Sequence, residues 1–87
     1  MPDEERVWLV ERSYSDKGLV TIVYATTDGQ RHLRKQLSSN MLARTDVTAA
    51  EDVAPDRLTP VDDPDERERY AAEATRMAEQ HDPDDPV

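Results

Sequence analysis

Two runs rich in β-branched and aromatic residues, Val7 to Tyr14 (VWLVERSY) and Leu19 to Thr26 (LVTIVYAT), are separated only by Ser15-Asp16-Lys17-Gly18. Runs of this kind favour extended backbone, and Ser, Asp and Gly between them supply the turn, so the pair reads as a β-hairpin. Thr27-Asp28-Gly29-Gln30 follows, with Asp-Gly where a type I′ turn needs positive φ, and then a third run from Arg31 to Leu37. A three-stranded antiparallel meander results.

Successive side chains of a strand point to opposite faces, so the pairing register decides what each face carries. With Tyr14 opposite Leu19 and Thr27 opposite Gln30, one face gathers Val7, Leu9, Val20, Ile22, Tyr24, Leu33 and Leu37, interrupted by Glu11 and Lys35. This is the expected core face. The other gathers Trp8, Val10, Arg12, Tyr14, Leu19, Thr21, Val23, Ala25, His32, Arg34 and Gln36, and so mixes apolar, aromatic and basic groups. A bulge, or a first hairpin loop of another length, would flip the first strand relative to the other two.

Beyond the sheet, Ser38 or Ser39 can cap a helical turn through residues 40–44, folding Met41 and Leu42 onto the core. Residues 45–53 read two ways. Thr48-Ala49-Ala50-Glu51 matches a capping box, but Pro55 ends any helix there, and Val47 and Val53 suit a short strand equally well. Leu58-Thr59-Pro60-Val61 reads as an extended piece that crosses the domain and plugs Leu58 and Val61 into it. Asp63 as N-cap, Pro64 in the first turn and Asp65 and Glu66 beside the positive end of the dipole then start a helix over about 64–80. Its apolar stripe is narrow, Tyr70, Ala74, Met77 and His81, with Glu66/Arg69 and Glu73/Arg76 spaced as ion pairs. Burying Tyr70 and Met77 contributes about 3–6 kcal/mol before ordering entropy.

With 87 residues there is room for one domain and a small core, not for a separate cofactor domain. The expected layout is a disordered 1–4, a single α+β domain over 5–81 consisting of the meander, short connecting pieces and the C-terminal helix, and a disordered acidic tail over 82–87. The absence of cysteine excludes disulfides, thiolate nucleophiles and Cys-based metal sites. No apolar run is long enough for a signal or a membrane span, so the expected location is the cytoplasm. Acidic residues number 20 against 11 basic, for a net charge of -9, and the excess is C-terminal: residues 1–44 carry net +1 and residues 45–87 net -10. Between Gly29 and Thr45 there is no carboxylate, while Arg31, Arg34, Lys35 and Arg44 are present. Asp-rich, Lys-poor composition of this kind suits a salt-rich cytoplasm, where repulsion among carboxylates is screened within about 3 Å at 1 M salt.

Catalytic chemistry finds little to stand on. His32 and His81 are the only histidines, and no nucleophile motif accompanies either. Two glycines cannot write a P-loop or a dinucleotide fingerprint, and the paired carboxylates lack an EF-hand spacing. No enzyme, cofactor or metal site is therefore expected. The residues that stand out are those of the second sheet face, Trp8, Arg12, Tyr14, His32 and Arg34. Aromatic rings among guanidinium groups suit stacked bases and phosphates of a single strand. The same face also suits packing beneath the acidic C-terminal helix, against a second copy, or against a protein partner. Net charge of -9 opposes attraction to a polyanion, which leaves nucleic-acid binding as the alternative to a non-enzymatic interaction or regulatory role.

The stretch VWLVERSYSDKGLVTIVYATTDG followed by PDRLTPVDDPDERERYAAEATRMAEQHDP resembles small acidic haloarchaeal proteins with no assigned activity, over nearly the whole chain. The resemblance implies a halophilic origin and carries no functional residue across.

Overall fold

A computed structural model of the chain describes residues 4–15, 18–38 and 47–87. The expected helical turn at 40–44, with Met41 and Leu42, lies outside the described residues. The order of elements is β1 (Glu5–Tyr14), β2 (Leu19–Ala25), β3 (Arg31–Ser38), β4 (Ala50–Val53), a 3-10 turn (Pro55–Arg57), β5 (Thr59–Pro60) and α1 (Pro64–Gln80). The α+β class and the meander are as the sequence suggests, but the sheet has five strands rather than three, in the order β4-β1-β2-β3-β5. The two extra strands flank the meander antiparallel to it. Both lack the pattern that marks a strand: β4 reads Ala-Glu-Asp-Val, and β5 is a Thr-Pro pair.

Register in the first hairpin also departs from expectation. Ser15, not Tyr14, is bonded to Leu19, its N–H donating to the Leu19 carbonyl at 2.8 Å, and Gly18 sits at φ +75°. That offset places Tyr14 opposite Val20 and Arg12 opposite Ile22. Between Leu9 and Glu11 the register shifts back by one residue at a β-bulge, so that Leu9 faces Tyr24 and Trp8 faces Ala25. Residues 7–9 thus keep the expected parity, whereas residues 11–14 are reversed.

The second hairpin keeps the expected register with a different turn. Thr26 and Arg31 close it, Gly29 N–H donates to the Thr26 carbonyl at 2.9 Å, and only Gly29 has positive φ, so the type I′ geometry is absent. Asp28 accepts from the Thr26 hydroxyl and from Gln30 N–H, and these bonds hold its carboxyl below the usual carboxylate range.

One face of the sheet carries Val7, Val20, Ile22, Tyr24, Leu33 and Val53, joined by Val47 and Leu58 and flanked by Leu9 and Leu37. The chain leaves β4 at one edge of the sheet, passes Leu58 into this cluster, and pairs as β5 at the opposite edge. It then delivers Val61 to the other face, beside Val23, Ala25 and Tyr70. The extended segment 58–61 therefore crosses as expected, and its route places α1 on the second face. Asp63 caps α1 by accepting from Asp65 N–H at 3.1 Å. Tyr70 and Ala74 are buried, Met77 is half-buried, and Glu66/Arg69 and Glu73/Arg76 approach to 3.8 and 2.7 Å. Exposed i,i+3 pairs of this kind add only about 0.2–0.5 kcal/mol each.

Residues 82–87, expected as a disordered tail, lie along 47–50. Ala49 and Ala50 donate to Asp85 and Pro83 carbonyls at 2.8 and 3.0 Å, and Val87 donates to Val47 at 2.8 Å. Of the two readings of 45–53 the strand is the one formed, and Thr48 donates its hydroxyl to the Ala50 carbonyl at 2.8 Å.

The tip of the second hairpin touches α1 backbone to backbone. A Cβ added at Gly29 would lie 2.0 Å from the Arg67 carbonyl oxygen and 2.8 Å from Ala71 N, at a φ of +70° that L side chains rarely adopt. Gly29→Ala is therefore expected to cost about 3 kcal/mol or more, from strained φ together with a clash against helix backbone. Thermal unfolding followed by circular dichroism is expected to show Tm lower by at least about 12 °C at this chain length. A fall of only a few degrees would mean that the hairpin and helix do not meet in this way.

Candidate functional site

The five residues singled out in the sequence do not form one surface. Trp8 and His32 are on the helix side of the sheet. Trp8 is only 7% exposed, packed with Ala49, Ala50 and Ala74 and flanked by Val10, Met77 and Ala78. Burying an indole of this size contributes on the order of 4–6 kcal/mol gross, more than any surface charge pair here, so α1 covers this part of the face tightly. His32 is half-buried with its ring centroid 6.2 Å from that of Tyr70, and its Nδ1 is buried without a hydrogen-bond partner among the described residues. Arg34, on the same face by strand parity, is exposed.

Arg12 and Tyr14 fall on the opposite face, because the bulge reverses residues 11–14. Arg12 donates to the Val87 carbonyl at 3.0 Å, while its Nε is buried without a partner among the described residues. Tyr14 stands 67% exposed at the end of the sheet. Glu11 takes the helix-facing position and meets Arg69 at 3.1 Å. The sequence held one sign of this exchange: with uniform parity Glu11 interrupts an apolar face, and the bulge removes that misfit.

The remaining cations of β3 are engaged across the first face. Arg31 pairs with Glu5, and Lys35 pairs with Glu51 at 2.6 Å, its Nζ 5.8 Å from the Tyr24 ring centroid. Beneath them Tyr24 donates its hydroxyl to the Thr48 carbonyl at 2.9 Å. Burial, and then the charge of Glu51, push its phenol up to about 12, so it stays protonated at neutral pH. Partly buried pairs over an apolar floor fix side-chain positions more than they add stability.

The backbone offers a further surface. Pairing of β2 with β3 alternates from the Thr26–Arg31 hydrogen bond, so the N–H and C=O groups of Leu33, Lys35 and Leu37 face β2, and those of Arg34 and Gln36 face outward. β5 pairs with β3 only at Arg31 and His32, and Val61 N–H adds a bond to the Gln30 carbonyl at 2.9 Å. Beyond His32 the chain turns away through the 3-10 turn, and among the described residues no strand pairs with the outward groups of Arg34 and Gln36. Both side chains are exposed. Arg34 and Arg57, the latter in that turn, are the described arginines whose side chains have neither a hydrogen-bond nor a carboxylate partner. At the opposite edge, residues 83–85 occupy the backbone of Ala49 and Ala50. A cleft of about 310 Å³ there is lined by Arg6, Thr48, Glu51, Asp52, Pro83 and Asp84, but Asp52 is held by Arg6 at 2.8 Å and Glu51 by Lys35. The described residues contain no group of three or more His, Cys, Asp or Glu arranged for a metal ion, and no helix long and apolar enough to cross a membrane.

The model of a family of unknown function, DUF7967, matches residues 1–87. No curated protein and no solved structure matches significantly.

The lone tryptophan reports on the covered face directly. Trp8 is expected to emit at short wavelength, to resist acrylamide quenching, and to show no change when single-stranded oligothymidine is added at low salt. Long-wavelength emission that the oligonucleotide quenches would mean that α1 leaves the aromatic face open for stacking.

Proposed function

We propose that this chain, which belongs to the DUF7967 family of unknown function, is a non-enzymatic interaction module that docks another polypeptide through the bare edge of β3. Its setting is a salt-rich cytoplasm, a reading supported by the carboxylate excess of 20 to 11 and by a C-terminal half carrying nearly all of it.

The observation that carries the reading is the open outer edge of β3 beyond His32. One face is filled by Val47 and Leu58, the other is covered by α1, and 83–85 bond to the segment at the β4 edge. At the β3 edge the outward donors and acceptors of Arg34 and Gln36 have no internal partner among the described residues, and unlike the outward backbone of Arg12 and Tyr14 on β1 beyond β4, they adjoin an arginine side chain that has no partner. An exposed edge is a template for strand addition unless a bulge, a covering loop, a proline or charged side chains blunt it, and the charge of Arg34 opposes a like strand while leaving the edge open to one of opposite sign. Here the bulge lies in β1, two strands away from β3, and the proline of β5 reaches only Arg31. Single-strand nucleic-acid binding, which needs aromatic and basic groups on one accessible surface, draws no support from a buried Trp8 and a Tyr14 on the far side.

Residue-resolved amide hydrogen exchange of the isolated chain tests this. Amides of Arg34 and Gln36 are expected to exchange at least about 100-fold faster than those of Leu33 and Lys35 in the same strand, since only the latter donate to β2. Equal protection along β3 would mean that the edge is already occupied and would overturn the proposal.

A further inference from the structure

Given that docking edge, the geometry points to the chemistry of its occupant: we infer that β3 accepts an extended segment in which carboxylates alternate with apolar residues. The inference rests on the strand-addition reading and goes on to select the partner.

Consider what an incoming strand would meet opposite residues 34–37, about 13 Å of edge at 3.3 Å per residue. Its backbone would pair with the N–H and C=O groups of Arg34 and Gln36, continuing the ladder that β5 leaves after Thr59. Its side chains would alternate between two surroundings. On the helix side they would lie beside Arg34 and Gln36, beyond the reach of α1, which packs mainly on β1. On the other side they would lie beside Leu33, Lys35 and Leu37 at the margin of the apolar cluster.

Charge then discriminates. Arg34 is exposed and unpaired, Arg57 stands in the turn that leads into β5, and Gly29 to Thr45 contains no carboxylate. A carboxylate opposite Arg34 forms a contact ion pair, and a lysine there meets a like charge. The same charge keeps two β3 edges from pairing, because a second copy brings its own unpaired Arg34 to the seam. Single-sign charge on an edge in this way excludes its own kind while admitting the opposite sign. Ladder hydrogen bonds and contact pairs act at short range, so the selection survives salt that screens longer-range attraction.

The test is a titration of the isotope-labelled full chain with three blocked hexapeptides: alternating Val and Asp, alternating Val and Lys, and the Val/Asp peptide with a central proline. Expected are shifts and slowed exchange at the Arg34 and Gln36 amides with Val/Asp, at least about tenfold weaker binding of Val/Lys, and loss of binding with proline. Arg34→Gln, a change at an exposed and unpaired site, is expected to abolish the preference for Val/Asp. Equal binding of the Asp and Lys peptides at this edge would overturn the acidic-partner inference and leave strand addition standing. No response at Arg34 and Gln36 to any peptide, or shifts centred elsewhere, would overturn both. Concentration-dependent dimerisation by light scattering that Gln36→Pro removes would replace the acidic partner with a second copy.

Discussion

A single extra residue in β1 governs where every side chain of the first strand goes. The hairpin loop sets Ser15 against Leu19, which by itself would turn Val7 and Leu9 toward the helix and Trp8 away from it. The bulge between Leu9 and Glu11 cancels that offset. Val7 and Leu9 return to the apolar cluster, and Trp8 and Val10 face α1. A bulge interrupts one step of the ladder, but here the loss is small beside the burial of an indole and a valine. It also lets both ends of one strand serve different layers: its first half belongs to the double-sided core, while Arg12 and Tyr14 leave the helix side altogether.

The rest of the architecture follows from the need to cover both faces of a small sheet with few apolar residues. Segment 54–61 does so economically, contributing Leu58 to one face and Val61 to the other as it rounds the β3 edge. The helix brings small residues, Ala74 and Ala78, against the large Trp8, and Gly29 allows the hairpin tip to reach helix backbone. Large-against-small packing of this kind gives close contact without a large core, which suits a chain of this length.

Much of this was legible in the residues. Hydrophobic alternation marked the three long strands, Asp63-Pro64 marked the helix start, and Pro60 marked an extended crossing. Strand β4 was one of two open readings of 45–53 and β5 was legible only as extended backbone; that they pair into the sheet was not legible, because Ala-Glu-Asp-Val and Thr-Pro acquire that role from neighbours and not from intrinsic preference. The candidate face was half legible. Trp8, His32 and Arg34 share the helix side as parity indicates, but a bulge has no local signature beyond the misplaced Glu11, so Arg12 and Tyr14 were assigned to the wrong face. The β3 edge escaped notice for a different reason: backbone groups carry no letter in a sequence, and an edge exists only once the order of strands is known. What the sequence did hold was a carboxylate-free stretch within a protein of net charge -9, the chemistry from which a selective edge is proposed.

With both faces filled by folding, the proposed function rests on topology more than on any side-chain constellation. All of it depends on the register of β1 on β2, which cross-strand proton contacts in an NMR spectrum of the full chain read directly. Contacts are expected for Trp8 with Ala25, Leu9 with Tyr24, Arg12 with Ile22 and Tyr14 with Val20, with a one-residue step between Leu9 and Glu11. An unbroken series that instead places Glu11 with Ile22 and Tyr14 with Leu19 would contradict the account.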